Sequence, residues 1–310
     1  MHQCDIVRKR VPYEISLNFR RGISKHYYIF SYGMLKNTSK FMLPLVLLLV
    51  VGAIMAYSSV SATQQRNKEM EAERIQAAEL AQEKAKEDAE KRVYLLGEFD
   101  PSAREDFAPV PTEYNFSGYK IYLRKEALYA FLEMAEAAKK DKIELAIVSA
   151  ARNFDYQKDI WNKKWGGATL VDGKNLSKSI PDGQERFLKI LEYSAVPGTS
   201  RHHWGTDIDV NMTVPYYFET EKGKQIYAWL VENAFGFGFC QVYTLKGSLR
   251  PTGYNEEKWH WSYLPLAKTF TKDYKDLITA ADIAGFDGDE YVPSLNLIND
   301  YVLGINSECL

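Results

Sequence analysis

The sequence predicts an α+β domain, a small antiparallel sheet with flanking helices, behind a transmembrane or signal segment and a helical stalk. Three observations predict it. Stretches 123–140 and 222–234 space their apolar residues as amphipathic helices do. The run Asp207-Ile-Asp-Val210 alternates polar and apolar like a half-buried strand. An uncharged run at 41–57 is followed by a tract rich in Glu, Lys, Ala and Gln. Of the 310 residues, 46% are hydrophobic and 14% aromatic, which supports a packed core rather than disorder. The net charge of -2 gives no footing for a nucleic-acid partner.

Residues 1–40 are basic, with Arg8, Lys9, Arg10, Arg20, Arg21, Lys25, Lys36 and Lys40 against only Asp5 and Glu14. Residues 41–60 carry no charge and reach the roughly 20 residues that cross a bilayer. Basic residues before the run place the N-terminus inside and the rest outside. The run has no polar face, so a buried core helix is a poor reading. A cleavable signal competes, because Val60-Ser-Ala62 has small residues and a start at Met34 leaves a short basic lead. The length of the run favours a retained anchor; a cut near Ala62 would make the protein secreted. Either way the chain beyond leaves the cytoplasm.

Residues 63–92 are strong helix formers without Gly or Pro. Ile75 and Leu80 are too sparse for a coiled-coil seam, so the tract reads as a solvated stalk. The folded domain takes 93–310, with Pro101, Pro109 and Pro111 punctuating its lead-in arm. Within it, 123–140 reads as a helix and 143–150 as a strand. Asn153 caps a helix on which Phe154, Trp161 and Trp165 share a face, and Gly166-Gly167 ends it. Residues 168–184 read as a loop-rich insertion beside the substrate region. Helices are predicted at 184–194, 222–234, 264–279 and 295–303. Stretch 236–243 reads as a strand whose glycines permit close backbone approach.

The densest chemistry lies at 198–210. As a strand, 207–210 projects Asp207 and Asp209 from one face while Ile208 and Val210 seal the other. His202 lies on the loop entering it, and Gly205 lets that loop turn the imidazole back beside Asp209. Imidazole and carboxylate are the ligands a borderline ion such as zinc takes. A third ligand comes from Glu256-Glu-Lys-Trp-His-Trp-Ser-Tyr263, where Trp259 and Trp261 flank His260. A strand there puts both indoles on one face, as packing, and the imidazole on the other. His202, Asp209 and His260 would then bind the metal, with one position left for water. Glu257 would take that water's proton; only its spacing to His260 separates it from Glu256. Upstream, a strand ends at Arg152, a guanidinium suited to an oxyanion or a substrate carboxylate. His203 reads as a neighbour that points elsewhere and lines the cleft.

Ser-x-His-x-x-Gly-x-x-x-Asp at 200–209, Glu-x-Trp-His at 257–260, and a strand ending in Arg152 before Tyr156-Gln157 form a pattern. It resembles the VanY-type zinc D-alanyl-D-alanine carboxypeptidases, in the superfamily that also holds lysostaphin and the Hedgehog signalling domain. The resemblance covers 145–263. It implies their small-sheet fold, Zn2+, and the same roles for His202, Asp209, His260, Glu257 and Arg152. It implies too that Ser200 holds the substrate's terminal carboxylate, while Gln157 is a substrate contact or a structural residue. One position departs: two before the aspartate ligand the family usually carries a small residue, and here it is Asp207. That side chain is either an acceptor behind a ligand or a substrate contact.

The implied activity is removal of terminal D-alanine from peptidoglycan stem peptides. An L,D-carboxypeptidase or a peptidoglycan endopeptidase shares the chemistry. A non-catalytic wall-binding module is the other class, and an intact Glu257 speaks against it. Cys4, Cys240 and Cys309 form no C-x-x-C motif. Export puts Cys240 and Cys309 in an oxidising compartment, where a bridge would tie the tail to the domain. The preferred reading leaves them apart, Cys240 as a small buried hydrophobe and Cys309 on a frayed end.

Overall fold

The computed structural model describes residues 39–248 and 250–310, with side chains from Met42 onward. Cys4, the alternative start at Met34 and nearly all of the basic N-terminal segment lie outside the described residues. The chain divides into two compact units, Met1–Ile75 and Gln76–Leu310.

In the first unit the described residues form one helix, the beginning of α1 (Ser39–Leu95). It is long and apolar enough to cross a membrane by length and composition. At 1.5 Å per residue, positions 41–60 span about 30 Å, the thickness of a hydrocarbon core. The apolar run, with Pro44 near its start, and the charged tract after it belong to one helix, and the tract from 63 to 92 contains neither Gly nor Pro to break it.

The second unit starts with the last turns of α1. Leu95 is buried there, its carbonyl accepts from Trp204 Nε1 at 3.2 Å, and Arg92 pairs with Asp282 at 3.1 Å. Strands β1 (Phe107–Pro109) and β2 (Tyr122–Arg124) form a small antiparallel sheet. Helix α2 (Lys125–Lys140) follows and buries Ala127, Leu128, Phe131, Met134, Ala135 and Ala138. The helix was expected from 123, but Leu123 pairs with Ala108 across β1 and β2.

A second sheet has the order β3 (Ile147–Ser149), β4 (Asp207–Val210), β6 (His260–Tyr263), β5 (Phe239–Gln241), antiparallel throughout. Its apolar face packs Ile147, Ile208, Val210, Phe239 and Trp261 against α2 and α6 (Glu221–Asn233). A separate core gathers α3 (Phe154–Gly166), α4 (Leu176–Ser179), α5 (Gly183–Ile190) and α7 (Leu264–Leu277) around Trp161, Phe187, Trp204 and Tyr274. Removing such a side chain from water contributes roughly 1.5–3 kcal/mol each. Asn153 caps α3 by accepting from Tyr156 N at 2.9 Å, and Gly167 closes it in the left-handed conformation, φ 81°.

Several expectations need correction. The strand expected at 143–150 shrinks to Ile147–Ser149, where a register shift interrupts its pairing with β4. The strand expected at 236–243 is Phe239–Gln241 only. Gly238, at φ 83°, ends a 3-10 turn over Ala234–Phe237, and a Cβ on Gly236 would meet open space. Stretch 295–303 holds a short π turn, Ile298–Val302. Insertion 168–184 sends Leu176 into the core, and none of its residues lines the cleft around Glu257. Cys240 and Cys309 are bridged, with Cα atoms 5.8 Å apart. The tail that carries Cys309 is docked, not frayed: Leu297, Val302 and Ile305 are buried and Asn306 N donates to Val242 O at 2.8 Å.

Candidate active site

The register of β4 and β6 builds the centre. Asp209 lies opposite His260 and Asp207 opposite Ser262, on the face away from Ile208 and Trp261, so directly paired side chains meet. A 3-10 turn, Arg201–Trp204, delivers His202 to them. Gly205 ends that turn at φ 69°, where a Cβ would overlap the Phe107 ring, so glycine is required twice over.

His202 Nε2 stands 3.3 Å and His260 Nδ1 3.2 Å from the same oxygen, Asp209 Oδ1. One donor atom from each residue lies within 4.8 Å of the others. The second nitrogen of each ring is tied from behind: His202 Nδ1 to Ala150 O at 2.8 Å, His260 Nε2 to Asp207 Oδ1 at 2.9 Å. Donating a proton there leaves the inward nitrogen as a lone pair. Burial holds the His202 pKa down, which favours the neutral ring. Burial works against charge on Asp209, but His202 and His260 outweigh it and keep the carboxylate ionised. His202 Nε2 and Asp209 Oδ1 are buried without a hydrogen-bond partner. Such orphaned acceptors are costly, and a cation among them relieves both.

Glu257 Oε2 is 3.4 Å from His260 Nδ1. Glu257 is 6% exposed, and burial pushes its carboxyl pKa up against the pull of His260. Glu256 next door is half-buried and does not line the cleft. That cleft, about 310 Å³, is bordered by Arg152, Tyr156, Lys164, Tyr193, Glu257 and Trp259. Arg152 Nε is buried without a partner. Gln157 also faces the cleft: its Nε2 donates to Ala195 O at 2.7 Å, and its Oε1 is buried with no partner. Ser200, 2% exposed, lines a side cavity of about 30 Å³ with Arg152, His202, Glu257 and His260. A roomier hollow of about 470 Å³, bordered by Glu87, Lys91, Arg104 and Asp273, gathers no such set.

Three sequence readings are revised here. Asp207 has no surface for a substrate, being 0% exposed. Its Oδ1 accepts from Arg201 Nε at 3.1 Å as well as from His260, and its Oδ2 from Thr206 and Ser262 hydroxyls at 2.6 and 2.9 Å. It is an acceptor behind His260. His203 does not line the cleft either. It is fully buried, its Nδ1 donates to Arg152 O at 2.6 Å, and its Nε2 accepts from Gly198 N at 3.0 Å. Burial lowers its pKa to about 3, so the clamp is a neutral ring. Gly97, at φ 76°, lies against that ring: a Cβ there would overlap it, and the Gly97 carbonyl accepts from Phe154 N at 2.7 Å. Lastly the two indoles part. Trp261 packs in the core, but Trp259 precedes the strand and stands in the cleft wall beside Tyr193 and Phe218.

Arg201 and Lys164 also belong to the site, though neither is a fixed position of the motif that marks the other residues. Arg201 is 1% exposed; beyond Asp207 it donates to Thr271 and Ser262 hydroxyls, both at 3.0 Å, and its guanidinium lies 4.5 Å over the Trp204 ring. Its place between Ser200 and His202 was a signal, but its partners lie up to 70 residues away. Lys164 gave no signal beyond its helical position.

Two imidazoles, a carboxylate and a buried glutamate, gathered at one face of a small sheet, are a donor set and base of the kind a metal-dependent hydrolase uses. Residues 120–266 match the family described as VanY, D-alanyl-D-alanine carboxypeptidase. YodJ of Bacillus subtilis, assigned as a carboxypeptidase, is 31% identical over 182 residues, 56% of this chain. A D-alanyl-D-alanine carboxypeptidase of Enterococcus faecalis is 27% identical over 173 residues, 54% of this chain. The matched stretch spans 58% of the length of each of these relatives. Among solved structures, the LdcB LD-carboxypeptidase is 28% identical with a TM-score of 0.41, over 64% of this chain and 81% of that one.

Proposed function

We propose that the protein is a zinc-dependent carboxypeptidase that removes the terminal D-alanine of peptidoglycan stem peptides. In this reading residues 41–60 anchor it in the membrane, 63–92 form the stalk, and the peptidase domain works outside the cytoplasm. The observation that carries it is the convergence of His202 Nε2, Asp209 Oδ1 and His260 Nδ1, with Glu257 Oε2 beside them in the cleft. Two imidazole nitrogens and one carboxylate fit zinc. The buried, partnerless His202 Nε2 and Asp209 Oδ1 are lone pairs that such an ion takes up. The D-alanine substrate is supported by the description of the matched family and by the Enterococcus relative.

Bound zinc would supply polarisation of the scissile carbonyl and a lowered pKa for a water. Glu257, with its raised pKa, takes the proton of the attacking water and returns it to the leaving amine. Arg152, whose Nε is unpartnered, donates to the carbonyl oxygen as it gains charge. Ser200 holds the terminal carboxylate, and Gln157 Oε1 offers an acceptor to a substrate amide.

The test is mass spectrometry of muropeptides incubated with the zinc-loaded full chain in detergent. Pentapeptide stems should lose one D-alanine. Unchanged stems would overturn the reading, and trimming of tetrapeptides alone would move the specificity to the L,D bond.

A further inference from the structure

Helix α3 runs along the cleft and presents Tyr156, Gln157, Ile160 and Lys164 to it. Tyr156, Ile160 and Lys164 recur every four residues and Gln157 precedes Ile160 by three, so they share one face. Lysines on that helix behave differently. Lys163 is exposed and pairs with Asp159 one turn back. Lys164 turns inward, is half-buried, and its ammonium donates to the hydroxyl of Ser194, itself buried. Among the described residues no carboxylate pairs with Lys164 or with Arg152.

Two cations thus line one cleft that Asp209 and Glu257 also line, and neither cation is paired with a carboxylate. Holding an ammonium out of water beside a guanidinium runs against both desolvation and Coulomb repulsion. Burial and then Arg152 do lower the Lys164 pKa, and Glu257 only partly offsets them. A purely structural bond to Ser194 does not need a charge. An anion entering the cleft does: it relieves the repulsion and gains a charge-assisted hydrogen bond.

We propose that Lys164 is a substrate-binding residue that takes a carboxylate of the stem peptide, so the enzyme selects stems by where they carry free carboxylates. This rests on the carboxypeptidase reading. A pentapeptide stem offers such groups at its C-terminus, on a γ-linked glutamate, and on the third residue when that is diaminopimelate. Lys164 reads one of them, and amidating each in turn tells which.

The experiment uses the zinc-loaded full chain in detergent with four synthetic pentapeptides: the parent with all three carboxylates, and three mono-amides. kcat and KM are read by D-alanine release and Kd by calorimetry, for wild type, Lys164→Met and Lys164→Arg. Wild type should show a KM and Kd at least tenfold higher for the mono-amide of the carboxylate that Lys164 takes than for the parent, with kcat little changed. Lys164→Met should bind the parent as weakly as wild type binds that amide, and should lose nothing more on it. Lys164→Arg should restore most of the difference. A loss on the C-terminal amide that persists in Lys164→Met belongs to Ser200. A uniform loss on all four peptides, or no loss, overturns the proposal while hydrolysis itself stands. Carboxylate discrimination that depends on Lys164 without any hydrolysis overturns the carboxypeptidase reading instead.

Discussion

The Nε2 of His260 donates to Oδ1 of Asp207 at 2.9 Å, and this one bond decides which imidazole nitrogen faces Asp209. Burial works against charge on Asp207, but the Arg201 guanidinium and His260 hold its carboxyl well below the usual range. Asp207→Asn keeps an acceptor but removes the charge. We expect it to weaken zinc binding ten- to a hundredfold, the range typical of partners behind a ligand, as read by chelator competition. Asp207→Ala should cost about 3–5 kcal/mol in denaturant titration, because it leaves Arg201 buried and unpaired. Unchanged zinc affinity in the Asn variant would remove the orienting role.

His260→Ala should abolish metal binding while the domain stays folded, since its Cβ leaves the core side of β6 untouched. Metal analysis of the wild type should give about one ion per chain. Zinc at a hundredfold excess over Kd should raise stability by about 2.7 kcal/mol, and the variant should not respond. A variant that still holds stoichiometric zinc would reassign the third ligand.

Glu257→Gln should keep zinc and fold but lose at least about a hundredfold in kcat, the scale of a missing general base. Glu256→Gln should be nearly silent. The reverse pattern would mean that the base has been placed one residue off.

Thiol counting on the denatured, unreduced full chain should find only Cys4 free, because Cys240 and Cys309 are joined. The bridge closes a loop with a sequence separation of 69, for which chain entropy gives roughly 4 kcal/mol, less any native strain. Cys309→Ser should therefore lower the unfolding midpoint. Three free thiols would show that the bridge does not form.

Membrane fractionation tests the apolar end of α1. The chain should sediment with membranes and resist carbonate extraction. A soluble form whose sequence starts at Thr63 would establish a cleaved signal instead.

What the sequence made legible was short-range. His202, Gly205 and Asp209 lie close enough along the chain for period and turn chemistry to place them, and His260 follows once both segments are read as strands that pair. The capping of α3 by Asn153 was readable for the same reason. What escaped depended on distant partners. His203 could not be assigned until Arg152, 51 residues away, was found bonded to it. Asp207 looked accessible because strand alternation puts it on the same face as Asp209, but alternation says nothing about Arg201, Thr206 and Ser262 closing over it. The disulfide was misjudged because it needs the tail to return to β5, which no local pattern announces.

The His203 clamp has a consequence for ancestry and engineering alike. Its ring leaves no room for a side chain at position 97, so that glycine supports the loop that carries Arg152, although it sits just past the end of α1. Replacing the chain ahead of this domain succeeds only when the splice falls upstream of Gly97 and the turns of α1 that lead into it. A crossover a few residues later would swap the backbone on which the arginine loop is seated, and the hybrid would inherit an intact ligand set around a displaced Arg152.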